Sequence, residues 1–249
     1  MENKILKDFI VRSLEEDLGD GDHSSLACIP AENKGKARLL VKEDCILAGA
    51  RVAGEVFHTV DHELRFDLHI PDGKPVSSGD LVFIVSGSQQ SILKAERLVL
   101  NIMQRMSGIA TQTKKYTDLI KDLHTRITDT RKTTPGMRFL EKEAVRTGGG
   151  YNHRMGLYDM IMLKDNHIDY AGGIEKAISK TRDYLASHGL DLKVVIEARS
   201  ISDVERIISF GGVDRIMLDN FDIRTTAQAV SIIGGRFETE SSGGITFSS

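Results

Sequence analysis

The hydrophobic pattern of the first part of the chain alternates between helical and strand spacing. A first amphipathic helix is predicted because apolar residues recur on one face at Ile5, Phe9, Ile10 and Leu14. It ends at the turn 19–22, which reads Gly-Asp-Gly-Asp. Strands are then predicted at 37–41, 45–48, 64–70 and 81–85. A long helical pattern covers 91–124, and we expect it to be broken near Ser107 and Gly108.

The pattern changes after this helix into short apolar runs separated by helical stretches. The predicted strands are 126–130, 159–163, 193–197, 215–218 and 236–240. This rhythm is typical of βαβ units and a parallel sheet. We therefore predict an α/β protein with two differently built halves, which meet near the expected helix break.

Each of these later strands ends in polar or charged residues. They are Arg131, Lys132, Lys164, Asp165, Glu197, Asp219, Asn220, Ser241 and Ser242. Because the carboxyl ends of barrel strands converge on one rim, we expect these residues to surround one cavity.

The charges of this predicted rim indicate its ligands. Between Arg131 and Lys164 there are seven Lys or Arg and three Asp or Glu, although the whole chain has a net charge of -3. Such a basic block suits a small ligand with several negative charges. Glu197 and Asp219 suit a divalent metal or ribose hydroxyls instead. The turn 242–244 can present backbone N–H groups to a phosphate. Together they suggest an anionic acid, a phosphorylated sugar and Mg²⁺.

Composition excludes several classes of protein. An isoelectric point near 6.3 and an aromatic content of 6% argue against a nucleic-acid-binding protein. Cys28 and Cys45 are too few for a disulfide framework and lack metal-site spacing. The N-terminus carries charges throughout, and nowhere do 18 apolar residues run together. We predict a soluble cytoplasmic protein without a nucleic-acid or membrane partner.

Several residues have a structural alternative to a functional role. Taken alone, any Arg or Lys of the basic block is more often a solvated surface charge. His153 is equally compatible with a ligand contact and a structural hydrogen bond, and His167 is expected to support the turn at 164–166. The run Gly148 to Gly150 is compatible with a flexible connector.

Several long motifs, in order and in register, resemble the bacterial quinolinate phosphoribosyltransferases of NAD biosynthesis. They read DTRKTTPG, GGGYNHRMGLYD, KDNHI, IEA, IMLDN and ESSGGI, and EEDLGDGDHSS and AERLVLNIMQRMSGIAT precede them. The resemblance implies an N-terminal α/β sandwich domain over 1–109, with a dimer-forming helix. An incomplete, open α/β barrel of the type II phosphoribosyltransferase kind would follow over 110–249. It further implies a homodimer or larger homo-oligomer.

The implied reaction joins quinolinate to phosphoribosyl pyrophosphate and yields nicotinate mononucleotide, CO2 and pyrophosphate. By resemblance, the quinolinate carboxylates are bound by Arg131, His153 and Arg154, with Thr130 nearby and Arg97 donated by the partner subunit. Lys132 and Lys164 would contact phosphoribosyl pyrophosphate, and Glu197 and Asp219 would hold ribose hydroxyls and Mg²⁺. The 5'-phosphate is assigned to Ser242, Gly243 and Gly244.

Members of this family normally continue past the ESSGGIT motif through another barrel strand, whereas this sequence ends at Ser249. Either the sequence lacks part of the natural chain or the protein is a truncated relative, and in both cases we expect an exposed sheet edge at the C-terminal end. Two alternative functions are a related phosphoribosyltransferase of another acid and a non-catalytic phosphate-binding homologue. The set of Arg131, His153 and Arg154 favours a dicarboxylate substrate over a monocarboxylate.

Overall fold

The protein consists of two compact units that join between His153 and Arg154. The structure, a computed structural model, describes residues 2–248, with side chains from Lys4 onward. Within this range no helix is long and apolar enough to cross a membrane.

The first unit contains two small antiparallel sheets and the longest helices. Its elements are α1 Glu2–Leu18, α2 His23–Cys28, β1 Lys34–Leu40, β2 Cys45–Ile46, α3 Ala50–Val60, β3 Arg65–Leu68, β4 Pro75–Val76, β5 Leu81–Ser88, α4 Gln89–Leu119 and α5 Arg138–Thr147. One sheet has the order β1-β5-β3, and β2 pairs with β4. The predicted first helix and all four early strands are present, although β2 and β3 are shorter than expected.

The core of this unit forms where the sheets meet α1, α3 and α4. Phe57 of α3, Phe66 of β3 and Phe83 of β5 pack together, with ring centroids of Phe66 and Phe83 4.7 Å apart. Ile10 and Val52 are almost completely buried in the same cluster. Burying this much aromatic and aliphatic surface is the main source of the unit's stability.

Helix α4 is continuous over 31 residues, so the break predicted at Ser107 and Gly108 is wrong. Ser107 Oγ accepts a hydrogen bond from Ala48 N at 3.0 Å and donates one to Ala48 O at 3.1 Å. Its side chain therefore bonds to a neighbouring segment instead of interrupting the helix. The same helix buries Ile102 and Met106, and this packing outweighs the cost of about 1 kcal/mol for an internal glycine.

The predicted strand 126–130 is present only as a single parallel bridge between Thr128 and Tyr151. Tyr151 N donates to Ile127 O at 2.8 Å, and Asp129 N donates to Tyr151 O at 3.0 Å. The ladder stops there because the His153 N–H donates instead to the Asp129 side chain, Oδ1, at 2.9 Å. A side-chain acceptor thus replaces the next backbone partner.

The glycine run after α5 is a tight packing point, so its reading as a flexible connector is wrong. Gly148 and Gly150 are both buried. A β-carbon built on Gly148 would lie 2.4 Å from Ala110 O and 2.7 Å from Thr113 Cβ, both on α4. Gly148 therefore allows the end of α5 to approach both the backbone and the side chains of α4.

The second unit is an open parallel sheet with helical connections. Its elements are β6 Ile161–Leu163, α6 Asp165–Ala171, α7 Ile174–His188, β7 Val194–Ala198, α8 Ile201–Phe210, β8 Arg215–Asp219, α9 Ile223–Ile233 and β9 Glu238–Ser242. The strands lie in the order β6-β7-β8-β9, all parallel. Four of the five later strands are confirmed, as is the α/β class with a parallel C-terminal sheet.

Candidate active site

The two faces of the parallel sheet differ in chemistry. Leu163, Ile196, Ile216 and Leu218 belong to the buried cluster that includes residues of α6, α7, α8 and α9. Since side chains alternate along a strand, the residues between them project from the opposite face. That opposite face carries four of the polar residues predicted at the strand ends, namely Lys164, Glu197, Asp219 and Ser242.

Strand register aligns these polar residues along the carboxyl edge. Glu197 pairs with Met217, and Asp219 pairs with Ser242, so Glu197, Asp219 and Ser242 share one face. Lys164 directly follows Leu163, which pairs with Ile196, and this places Lys164 beside Glu197. The structure therefore brings together four of the predicted site residues of the second unit.

Glu197 is held in place at the end of β7. It is only 9% exposed, and its Oε2 accepts a hydrogen bond from Asp165 N at 3.2 Å. Lys164 Nζ lies 3.9 Å from Glu197 Oε1, and about half of the lysine side chain remains exposed. Lys164 N donates to His167 Nδ1 at 3.0 Å, which confirms the supporting role expected of His167.

Asn220 connects the end of β8 to the glycine turn after β9. Its N–H donates to Ser242 O at 2.7 Å, and its side-chain amide donates to Asp219 Oδ2 at 3.0 Å. It adopts a left-handed backbone with φ 56°, which asparagine tolerates better than most residues. A β-carbon at Gly243 would lie 2.1 Å from Asn220 Oδ1, and Gly243 has a φ of 83°, a backbone conformation that favours glycine. Sequence analysis identified Asn220 only as a polar strand end.

The carboxylates of this edge are the candidate ligands for Mg²⁺. Among residues 2–248 no three or more His, Cys, Asp or Glu side chains form a cluster able to hold a metal. Glu197 and Asp219 share a face and an edge, and they supply two carboxylates. Mg²⁺ is commonly held by one or two carboxylates together with water and substrate phosphates. The donor set fits a cation shared with a phosphorylated ligand and does not fit a metal held by protein alone.

Arg154 and its loop are fixed within the second unit. Arg154 is 7% exposed, and its Nη1 donates to Met160 O at 3.1 Å. Asp159 accepts hydrogen bonds from Met155 N at 2.7 Å and Gly156 N at 2.9 Å. Burial raises the pKa of Asp159, but these backbone N–H groups outweigh it and the pKa is lowered. An ionised Asp159 thus closes the loop that carries the buried arginine.

In the first unit, a turn positions Thr130, Arg131 and Lys132. Lys132 N donates to Thr130 Oγ1 at 3.0 Å, while the Lys132 side chain is exposed. Arg131 Nε is buried, and none of the residues that the structure describes accepts a hydrogen bond from it. A buried N–H of a guanidinium without an acceptor is costly, so this geometry favours an anionic ligand that supplies the acceptor.

An ion pair that was not predicted from the sequence connects the segment after this turn to α4. Arg105 Nε and Nη2 donate to Glu141 Oε1 at 2.9 and 2.8 Å, and Nη2 also reaches Thr134 Oγ1 at 3.1 Å. Glu141 accepts Thr134 N at 3.2 Å. Burial raises the pKa of Glu141, but the bonds from Thr134 and Arg105 outweigh it and lower the pKa.

Arg97 lines a depression to which the other predicted site residues of the first unit do not contribute. It is exposed on α4 and lines a shallow depression of about 290 Å³ with Asp22, Ser24, Ser25, Leu93 and Glu96. Thr130, Arg131, Lys132 and His153 are not among the described residues that line this depression.

Comparison with known families accounts for both units of the chain. Residues 22–107 match the family described as quinolinate phosphoribosyl transferase, N-terminal domain, and residues 109–249 match its C-terminal domain. The chain belongs to the quinolinate phosphoribosyltransferase family. This confirms the family inferred from the DTRKTTPG and KDNHI motifs.

Individual relatives agree with this membership. The chain is 44% identical to quinolinate phosphoribosyltransferase [decarboxylating] 1b of Nicotiana tabacum, over 97% of this chain and 73% of that protein. It is 41% identical to the probable nicotinate-nucleotide pyrophosphorylase [carboxylating] of Bacillus subtilis, over 99% of this chain and 82% of the relative. The crystal structure of NadC from Streptococcus pyogenes superposes with a TM-score of 0.91 at 41% identity, covering 97% and 84% of the two chains. The NadC structure therefore shares the fold over nearly the whole of this chain.

Proposed function

We propose that this protein transfers the phosphoribosyl group of phosphoribosyl pyrophosphate to quinolinate and removes one carboxylate as CO2. The products are nicotinate mononucleotide, CO2 and pyrophosphate, which places the reaction in NAD biosynthesis. The observation that carries this proposal is the match of both quinolinate phosphoribosyltransferase domains to residues 22–107 and 109–249.

Quinolinate recognition is assigned to cations that the fold holds in place. Arg131 presents a buried Nε without a protein acceptor among the described residues, and Arg154 is buried and oriented by Met160 O. A guanidinium binds a carboxylate through two parallel hydrogen bonds, which suits a substrate with two carboxylates. Thr130 and His153 are assigned to the same substrate on the basis of the family motifs.

Phosphoribosyl pyrophosphate is assigned to the exposed lysines and to the edge of the parallel sheet. Lys132 and Lys164 have exposed side chains and suit the pyrophosphate charge. Glu197 and Asp219 share one face of that edge and would hold ribose hydroxyls and Mg²⁺. Bound Mg²⁺ would offset the charge of the departing pyrophosphate. The turn Ser242–Gly244 is assigned to the 5'-phosphate.

The proposed chemistry begins with attack of the pyridine nitrogen on C1 of the ribose. The C1–oxygen bond breaks, and its electron pair leaves with pyrophosphate, whose developing charge the lysines stabilise. The ring nitrogen becomes cationic. When the adjacent carboxylate departs as CO2, the electron pair of the broken carbon–carbon bond is stabilised by this cation and then protonated. No further electron sink is required.

A substrate comparison tests the proposed activity. Purified protein with Mg²⁺ and phosphoribosyl pyrophosphate is offered quinolinate or nicotinate, and nicotinate mononucleotide and CO2 are measured. We expect both products from quinolinate alone. Product from nicotinate without CO2 would contradict the decarboxylating reaction. No product from either acid would contradict the proposal and favour another acid or a non-catalytic role.

We further propose a cytoplasmic homodimer in which Arg97 serves the partner's site. The resemblance to bacterial members of the family supports both parts of this proposal. The position of Arg97 is consistent with the second, because its side chain is exposed and lines a depression to which Thr130, Arg131 and His153 do not contribute.

Mixed dimers test the donation of Arg97. Arg97→Ala and Arg131→Ala subunits, each expected to have little activity alone, are co-expressed with different tags, and only species carrying both tags are purified. A two-fold dimer would then have one intact site and one doubly altered site, so we expect about half of the wild-type activity per dimer. If Arg97 acts within its own subunit, neither site is intact and the mixed dimer stays inactive. Failure to recover doubly tagged protein would contradict the dimer itself.

A further inference from the structure

Lys142 of α5 is a buried cation to which no role in the reaction has been assigned. Its side chain is only 1% exposed, and it is among the largest fully buried side chains in the protein. Lysine is almost never fully buried unless it is paired, because removing its charge from water is costly. Replacing a buried ion pair with apolar groups is often neutral or stabilising. Stability alone therefore gives little reason to place a charge here.

The partners of Lys142 are two segments of irregular backbone. Its Nζ forms an ion pair with Asp129 and donates to the backbone carbonyl of His153 at 3.2 Å. The Asp129 side chain is 7% exposed and accepts the His153 N–H at 2.9 Å. Asn152 Nδ2 donates to Asp129 Oδ2 and to Lys142 O at 2.8 Å. Both backbone groups of His153 are thus held by one buried cluster, defined as Asp129, Lys142 and Asn152.

This buried cluster lies directly beside the residues assigned to quinolinate. Asp129 immediately precedes Thr130 and Arg131 in the chain, and His153 is bonded to the cluster through its own backbone. The turn that carries Arg131 and the segment that carries His153 have little regular secondary structure, since only one bridge joins them. Helix α5 is regular and packs on α4 through Gly148. The cluster therefore connects two irregular segments to a rigid element.

The buried cluster also neutralises the negative charge of Asp129. An unpaired Asp129 next to Arg131 would repel the carboxylates of an acid substrate, and Lys142 neutralises it without competing for that substrate. With 1% exposure, the Lys142 ammonium has no surface to offer a ligand.

We propose that Lys142, through Asp129 and Asn152, is the positioning residue that fixes Arg131 and His153 for carboxylate binding. This inference rests on the proposed binding of quinolinate by these two residues. Displacing a substrate-positioning group by about 1 Å can reduce the rate by about 10²-fold. Loss of the buried cluster is therefore expected to act mainly on quinolinate. Phosphoribosyl pyrophosphate should be affected less, because only Lys132 of its proposed contacts lies on the same turn, whereas Lys164, Glu197 and Asp219 are carried by the parallel sheet.

The test compares Lys142→Met with Asp129→Asn/Lys142→Met. The double variant leaves no uncompensated charge, so we expect it to unfold near the wild-type temperature even if the single variant folds poorly. In both, the anchor on the His153 carbonyl is missing. We expect the KM for quinolinate to rise at least about tenfold and the KM for phosphoribosyl pyrophosphate to rise by a clearly smaller factor. The matched control is Arg51→Met. It breaks the exposed ion pair between Arg51 and Glu143, a residue of the same helix as Lys142, and it should change neither KM.

Amide hydrogen exchange supplies a readout that does not depend on activity. The peptide spanning 150–156 should exchange faster in the double variant, while peptides from β7 and β8 stay unchanged. A double variant that keeps the wild-type melting temperature and the wild-type KM for quinolinate would overturn the inference. If the wild-type protein does not use quinolinate, the proposed function fails separately, and unchanged exchange at 150–156 would then overturn the anchoring.

Discussion

Replacing Arg131 with alanine is expected to lower kcat/KM for quinolinate by roughly 10² to 10³-fold. The Arg131 Nε–H is buried, and no described residue accepts it, so the guanidinium is free to pair with a ligand carboxylate. Truncating one partner of a buried charge pair leaves the other charge unpaired, and this penalty sets the size of the effect. Because the Arg131 guanidinium donates no hydrogen bond to another described residue, its removal should leave the fold intact.

Steady-state kinetics with each substrate varied in turn measure this effect. Arg146→Ala is the matched control, because Arg146 belongs to the same basic block, is exposed on α5 and has no assigned ligand. We expect the control to remain within about twofold of wild type, since exposed charges contribute little. The carboxylate assignment would be wrong if Arg131→Ala retained the wild-type KM and kcat for quinolinate at an unchanged melting temperature.

Replacing Gly148 with alanine is expected to destabilise the first unit by about 3 kcal/mol. Gly148 has φ -79°, so its backbone conformation would accept alanine and the cost is one of space. The new β-carbon would lie 2.4 Å from Ala110 O, a backbone atom that cannot move without displacing α4. Overpacking of this kind would push α5 away from α4, and the apolar surface between the two helices would no longer be fully buried.

Urea unfolding measures the destabilisation, and Gly108→Ala provides an internal comparison. Gly108 lies within α4 itself, and a β-carbon there would meet nothing within 4 Å. We expect Gly108→Ala to raise stability by about 0.5–1 kcal/mol, as alanine is the better helix former. Equal midpoints for Gly148→Ala and the wild type would contradict the proposed close packing of α5 on α4.

The parallel strands were predictable because their apolar runs are short and separated by helical spacing. β7 and β8 carry such runs, and their alternation also predicts that Glu197 and Asp219 end on one edge. The isolated bridge at Thr128 was not predictable in the same way. The segment has a strand-like pattern, but the number of backbone hydrogen bonds it forms depends on the neighbouring segment. Here the next backbone N–H, that of His153, donates to the Asp129 side chain instead.

Sequence analysis predicted the site residues that lie at strand ends. It missed the residues that form buried or partly buried ion pairs around the site. Arg105 and Glu141 are 36 positions apart, and nothing in either local pattern indicates that they bond. Lys142 resembles a surface residue in the sequence, because the helical face that contains it also carries Glu141 and Arg138. Burial of a charge is decided by tertiary contacts, which hydrophobic periodicity does not encode.

The two faces of the parallel sheet carry different kinds of residue, so substitutions that affect stability and substitutions that affect ligand binding fall on different faces. Residues such as Ile196 and Leu218 hold the helices, while Glu197 and Asp219, one position further along, face the other way. A lineage can therefore exchange the second set to explore new ligands without disturbing the first. Along β7 and β8, tolerance of amino-acid substitution should therefore alternate from one residue to the next. The two sets of alternate positions in each strand should evolve independently of each other.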